Sequence, residues 1–90
     1  RVADQIRRKL TAGLAPARLE VIDESHLHAG HVGARPEGES HFRVEIVSRA
    51  FQGKSRIDRQ RLVYRILAEE LAGGVHALVV KALTPREEGG

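Results

Sequence analysis

The sequence predicts a small α+β domain in which a three-stranded mixed sheet carries helices on one side. Two stretches alternate apolar and charged residues as half-buried strands do, a third is almost continuously apolar, and amphipathic segments surround them. The predicted element order is α-β-β-α-β-(α), in which the last helix is only a short start. Because the 90 residues contain no internal repeat and no linker, we expect one domain over residues 1–90.

The first helix is predicted by apolar residues four positions apart, Val2, Ile6 and Leu10. Gly13 and Pro16 are expected to end it. Residues near 18–23 then alternate as a strand does, and the same alternation returns at Phe42, Val44 and Ile46. We expect these two strands to form an antiparallel hairpin with one wet face. Residues 23–40, which are rich in glycine and histidine, are predicted to be a long loop.

The second helix is expected to begin at Ser55, which forms an S-x-x-D pattern with Asp58. Its apolar residues form one stripe, at Val63, Ile66, Leu67 and Leu71. Two glycines should stop it, Gly73 and Gly74. Residues 75–83 are nearly continuous in apolar side chains, which predicts the central strand or a strand parallel to its neighbour. Thr84, Pro85 and Glu87 have the spacing of another helix start.

Composition excludes several classes of function. The chain has no cysteine, so it can form neither a disulfide nor a thiolate metal site by itself. Its three aromatic residues are too few for a base-stacking surface. No apolar run approaches the ~18 residues that span a membrane. No nucleophile elbow or phosphate-binding loop is present, and the adjacent Glu69 and Glu70 are expected to diverge, so we do not expect an enzyme.

Histidine is the residue type that stands out. His26, His28 and His31 lie in the predicted loop, His41 begins the second strand and His76 the third. Imidazoles spaced H-x-H-x-x-H could bind a transition metal, but neither a helix nor a strand fixes their spacing, and a polar loop whose histidines titrate near neutral pH is the simpler explanation. By its apolar neighbours alone, His76 is better explained as a hydrogen-bonded structural residue than as a ligand.

Basic residues gather around the start of the second helix: Lys54, Arg56, Arg59, Arg61 and Arg65. Cations and free backbone amides at a helix N-terminus can hold phosphates. A solvated helix face is the simpler explanation, and Asp58 weakens the positive field there. The net charge of +3 is compatible with either explanation.

Several motifs together resemble the BolA family. These are D-E-S at 23–25, E-S-H-F-R-V at 39–44, F-x-G at 51–53, R-x-x-R-Q-R-L-V-Y-x-x-L-A-E-E-L at 56–71 and V-H-A-L at 75–78. The resemblance covers nearly the whole chain and implies a fold related to the class II KH domain. The KH family's own G-x-x-G clamp between helices is missing, so fold kinship gives little support for RNA binding.

The resemblance implies two roles. In the first, the protein pairs with a monothiol glutaredoxin, and the heterodimer shares a bridging [2Fe-2S] cluster whose histidine ligands would be His76 and His28. Because the loop carries further histidines, His31 or His26 could replace His28. Thiolates would come from a partner cysteine and from glutathione, and the isolated chain should be a monomer without cofactor.

In the second role, the protein is a DNA-binding regulator of transcription in morphology and stress response, using the basic helix. Here Arg59-Gln60-Arg61 departs from the R-H-R that the family commonly has. The resemblance also implies a cytoplasmic protein if the source is bacterial and a mitochondrial one if it is eukaryotic. No membrane partner is expected.

Overall fold

The computed structural model describes residues 1–25 and 40–89. The helices and strands follow in the order α1 (Val2–Leu14), β1 (Arg18–Asp23), β2 (His41–Val47), a 3-10 turn (Arg49–Phe51), α2 (Arg56–Ile66), α3 (Ala68–Ala72), β3 (Ala77–Leu83) and α4 (Pro85–Gly89). The predicted α+β class with a three-stranded mixed sheet is confirmed. Most of the predicted loop, residues 26–39, lies outside the described ranges. None of the helices in those ranges has the length and apolar character needed to cross a membrane.

Helix α1 ends between the two residues expected to stop it, because Gly13 lies inside the helix and Pro16 follows it. A Cβ atom at Gly13 would lie 3.0 Å from Cδ1 of Ile66, so the glycine allows α1 and α2 to pack closely. The helix stops at Ala15, which has the left-handed angles φ 42° and ψ 56°. The Ala15 amide donates to the Thr11 carbonyl at 3.1 Å, and Pro16 then prevents continuation.

The sheet has the order β1-β2-β3, with β1 antiparallel to β2 and β2 parallel to β3. The hairpin and the parallel pairing are therefore as predicted, but a central position for the third strand is wrong. β2 is central, and β3 is an edge strand whose Val79 is 47% exposed. The apolar run suggested a strand buried on both faces, but in the structure Leu78 packs against the core while Val79 is exposed on the opposite face of the sheet.

Side chains from α2 cover the outer edge of β3. The Tyr64 hydroxyl donates to the Leu78 carbonyl at 2.8 Å, and Nη1 of Arg59 donates to the Ala82 carbonyl at 3.1 Å. Open sheet edges present unpaired backbone groups to which other chains can add. These two contacts satisfy two such carbonyls and bind the crossover helix to the strand it leads into.

The core lies between the sheet and the helices on one side of it. β2 contributes Phe42, Val44 and Ile46, all almost completely buried. They pack in one cluster with residues of α1, of α2 and of the turns, among them Ile6, Leu10, Leu14, Phe51, Val63 and Val75. The opposite face of the sheet carries polar residues and two exposed apolar ones, Ile22 and Val79. Ile22 and Val79 both lie opposite Arg43 in the strand register.

The second helix begins where predicted but is interrupted. Oγ of Ser55 accepts the Asp58 amide at 3.1 Å, so the predicted N-cap is confirmed. At Leu67 the backbone angles are φ −101° and ψ 22°, outside the helical range, and α3 follows as a separate short helix. Leu67 is nevertheless buried, and the predicted apolar stripe faces the core.

Leu67→Ala should lower the free energy of unfolding by about 2–5 kcal/mol, because the truncation leaves a cavity at a side chain that is only 1% exposed. Ile57→Ala, in the first turn of α2, is the control. Because Ile57 is 63% exposed, its change should stay within about 0.5 kcal/mol. Urea unfolding of both variants measures the difference, and equal losses would show that the assignment of the buried face is wrong.

Candidate functional site

His76 lies at the end of the sheet, directly before β3 and not within it as predicted. Its amide donates to the Ser40 carbonyl at 2.6 Å, and the Ala77 amide reaches the same oxygen at 3.2 Å. The His76 side chain is exposed. The structure therefore holds the main chain of His76 against the start of β2 and presents its imidazole to solvent.

Ser25 and Ser40 join the end of β1 to the start of β2, next to His76. Oγ of Ser25 accepts the amide of Ser40 at 2.9 Å and that of His41 at 3.1 Å. The Glu24 amide donates to the His41 carbonyl at 2.8 Å. Residues 25 and 40, between which the predicted loop lies, are thus held together beside His76.

His41 supports this end of the sheet from inside. Its side chain is buried, with 6% of the residue exposed, and Nδ1 lies 2.8 Å from Oγ of Ser40 in a hydrogen bond. Its ring centroid is 5.3 Å from that of His76, with the rings tilted by 51°. Sequence reasoning did not join these two histidines, because their contact depends on the parallel register that sets His41 opposite Ala77.

The other three histidines of the predicted metal set, His26, His28 and His31, lie outside the described residues. Within residues 1–25 and 40–89, no group of three or more histidine, cysteine, aspartate and glutamate side chains could hold a metal ion. The described part of the chain thus offers His76 as an accessible imidazole, with His41 behind it.

The basic set at the second helix divides into two kinds of residue. Lys54, Arg56, Arg61 and Arg65 are exposed, as a solvated or phosphate-binding face requires. Arg59 is only 8% exposed, so its assignment to that face is corrected. The spacing could have revealed this, because Arg59 precedes the buried Val63 and Leu67 by four and eight positions on the same helical stripe.

The buried guanidinium of Arg59 is fully engaged. Its Nε donates to the Lys54 carbonyl at 3.0 Å, and Nη1 donates to Oε1 of Glu87 at 2.6 Å as well as to the β3 edge. The cation also lies 6.0 Å from the ring centroid of Phe51. Arg59 therefore connects α2, β3 and α4, and it contributes to the structure, not to a ligand surface.

Glu87 completes this link and caps α4. Its Oε1 accepts the Thr84 amide at 2.8 Å, while the Glu87 amide donates to Oγ1 of Thr84 at 3.1 Å. This reciprocal pair is the capping box that the sequence predicts. The hydrogen bonds from Arg59, and then from the Thr84 amide, lower the pKa of Glu87 from 4.5 to about 2.

The adjacent glutamates of α3 meet at one lysine, contrary to the expectation that they diverge. Nζ of Lys9 lies 2.6 Å from Oε1 of Glu69 and 2.8 Å from Oε2 of Glu70. The hydrogen bond from Lys9 lowers the pKa of Glu69. A groove of about 440 Å³ between α1 and the turn after α3 is lined by these residues and by Val75. The pair ties α1 to α3, and Lys9 offsets one of its two negative charges.

The fold and the sequence agree with one family. The model of the family described as BolA-like protein matches residues 10–87. The chain belongs to the BolA-like family. BolA structures have the same mixed α+β architecture with a three-stranded sheet. The BolA domain of SufE1 from Arabidopsis thaliana superposes with a TM-score of 0.86 at 50% identity, covering 94% of this chain and 93% of that one.

Two curated plant relatives are similar in sequence. The chain is 51% identical to "SufE-like protein 1, chloroplastic/mitochondrial" of Arabidopsis thaliana over 92% of its own length and 24% of the relative. It is 46% identical to "Protein BOLA1, chloroplastic" of the same plant, over 94% of its own length and 54% of the relative. The chain thus spans about a quarter of one of these proteins and about half of the other.

The Arg59–Glu87 pair predicts a pH dependence of stability in this BolA-like domain. The folded-state pKa of Glu87 lies near 2, below its usual 4.5. The contribution of the ionised Glu87 to the free energy of unfolding is therefore present above pH 4.5 and is lost as the pH falls toward 2. Glu87→Gln should remove this part of the acid destabilisation. Unfolding free energies of both proteins measured from pH 6 to pH 2 test it, and parallel curves would contradict the pairing.

Proposed function

We propose that this BolA-like domain is an adaptor that binds a monothiol glutaredoxin and shares a bridging [2Fe-2S] cluster, in iron–sulfur trafficking or in iron regulation. The observation that carries the proposal is the position of His76. An exposed imidazole on a main chain held by the 2.6 Å bond to Ser40 suits a ligand that a second protein must reach. The role requires no catalysis by this chain.

The donor chemistry of the chain fits a shared cluster better than a cluster of its own. Iron–sulfur clusters are held mainly by thiolates, and this chain has no cysteine, so it would supply imidazoles only. The thiolates would come from the glutaredoxin cysteine and from glutathione. Replacing thiolates by imidazoles raises the reduction potential, which suits a cluster that is sensed or handed on.

The second imidazole would come from the histidines after Ser25. We propose His28, with His31 or His26 as alternates. Ser25 is held beside Ser40, whose carbonyl binds His76. Covalent geometry keeps the Cα atom of His28 within about 11 Å of that of Ser25, so the chain can bring it to the same end of the sheet.

Histidine variants of the reconstituted heterodimer test the cluster proposal. His76→Ala should change the visible circular dichroism and the midpoint potential markedly, because the neighbouring imidazole, that of His41, is buried and bonded to Ser40. His28→Ala alone should have a smaller effect, since His26 or His31 could take its place. Substituting His26, His28 and His31 together should match or exceed the effect of His76→Ala.

The absorbance spectrum provides the controls. The isolated chain should be colourless, and the complex with a monothiol glutaredoxin should be brown. Glu24→Ala is a matched substitution near the site that leaves every imidazole in place, so its heterodimer should keep the wild-type spectrum. A wild-type spectrum for His76→Ala would remove His76 from the ligand set, and a colourless wild-type mixture would refute the proposal.

A second candidate function is DNA binding by the exposed part of the basic helix. Within the described residues, Lys54, Arg56 and Arg65 form no ion pair, which leaves their charges available to phosphates. Arg61 pairs only weakly with Asp58, at 3.5 Å. With Arg59 engaged in the structure, the interface would rest on these four residues.

Substituting Arg56 and Arg61 by glutamate should weaken DNA binding and flatten its salt dependence. Neutralisation of phosphates by these cations determines both the affinity and its dependence on salt. The matched control reverses Arg7 and Arg8 of α1, which changes the net charge equally but lies on another element. Titrations of a labelled duplex at several salt concentrations compare the two. If both double variants lose affinity equally, the basic helix is not a specific interface.

A further inference from the structure

The pair of rings at the end of the sheet assigns a role to His41. We infer that His41 is a positioning residue that sets the orientation of the His76 imidazole, an inference that rests on the proposed function of His76 as a ligand. Its ring lies 5.3 Å from the His76 ring, with the planes tilted by 51°. One side of the exposed imidazole is thus covered by a buried one.

The His76 main chain alone does not fix where its imidazole points. The bond from the His76 amide to the Ser40 carbonyl holds the backbone, but rotation about χ1 of an exposed side chain still allows three staggered rotamers. A neighbouring ring on one side removes part of this freedom. A ligand whose rotamer is set in advance loses less entropy on binding, so the contact favours the liganded geometry.

His41 is itself held in place from several sides. Its ring is bonded through Nδ1 to Oγ of Ser40, at 2.8 Å. Its amide donates to Oγ of Ser25, and Ser40 Oγ lies 3.4 Å from the same oxygen. Burial to 6% exposure leaves the imidazole little room to turn. A side chain fixed in this way can hold the rotamer of another.

The bond to Ser40 is what makes burial of this polar ring possible. An imidazole is a costly core residue unless it is hydrogen-bonded, and Nδ1 of His41 lies 2.8 Å from Oγ of Ser40. Ser40 then serves twice, because its carbonyl holds the His76 backbone and its hydroxyl holds the His41 ring.

The test separates ring contact from general damage to the fold. His41→Ala removes the ring, His41→Phe keeps a ring of similar size, and Ser40→Ala removes the hydroxyl but keeps the carbonyl that binds His76. Val47→Ala, at the other buried end of β2, controls for loss of stability. All four are compared with the wild-type chain under conditions in which thermal melting shows each of them to be folded.

The first measurement uses the free chain and needs no partner. Three-bond NMR couplings report the χ1 rotamers of His76, and hydrogen exchange reports its amide. In His41→Ala the couplings should shift from those of one rotamer toward a three-rotamer average while the amide stays protected. His41→Phe and Val47→Ala should keep the wild-type couplings, and Ser40→Ala should shift them part of the way. Unchanged couplings in His41→Ala would overturn the inference.

The second measurement uses the heterodimer with a monothiol glutaredoxin. The visible circular dichroism should change in His41→Ala and return to the wild-type form in His41→Phe, although His76 is present in both. A phenylalanine variant that behaves like the alanine variant in both measurements would show that ring contact is not the cause. If even the wild-type chain forms no coloured complex, the adaptor proposal fails, while the couplings still decide whether His41 orients His76.

Discussion

The parallel pairing of β3 with β2 determines where the two described histidines of this domain meet. Parallel strands begin at the same end of a sheet, so Ser40, His41 and His76 meet although 34 residues separate the last two. The Ser40 carbonyl then accepts the His76 amide, and the two imidazoles come into contact. An antiparallel third strand would have sent His76 to the opposite end of the sheet.

Parallel pairing requires a crossover, and polar residues at the two ends of the crossover helices secure it. Near its start, the buried Arg59 donates to the β3 edge and to Glu87 of α4. Near its end, the buried Glu70 meets Lys9 of α1. Breaking one such pair leaves a desolvated charge, which costs more than an equivalent surface pair contributes. These contacts therefore favour one docking of α2 and α3 over alternatives that an apolar stripe alone would permit.

Local patterns in the sequence are enough to predict most of the helices and strands. The alternation of Phe42, Val44 and Ile46 and the caps at Ser55 and Thr84 each rest on residues within a few positions of one another. Strand order, the interruption at Leu67 and the burial of Arg59 depend on partners far away in the chain. For the same reason only the family resemblance made His76 a candidate ligand, and its contact with His41 could not be predicted.

A protein that offers a metal-binding group to a partner must expose that group and also keep it in one place. These demands conflict, because packing is what usually fixes a side chain. In the proposed adaptor they would be met by different atoms, because backbone bonds through Ser40 hold the main chain of His76 while the imidazole remains at the surface. Since a single imidazole cannot complete the coordination of iron, the proposed function requires thiolates of a second molecule at the same end of the sheet.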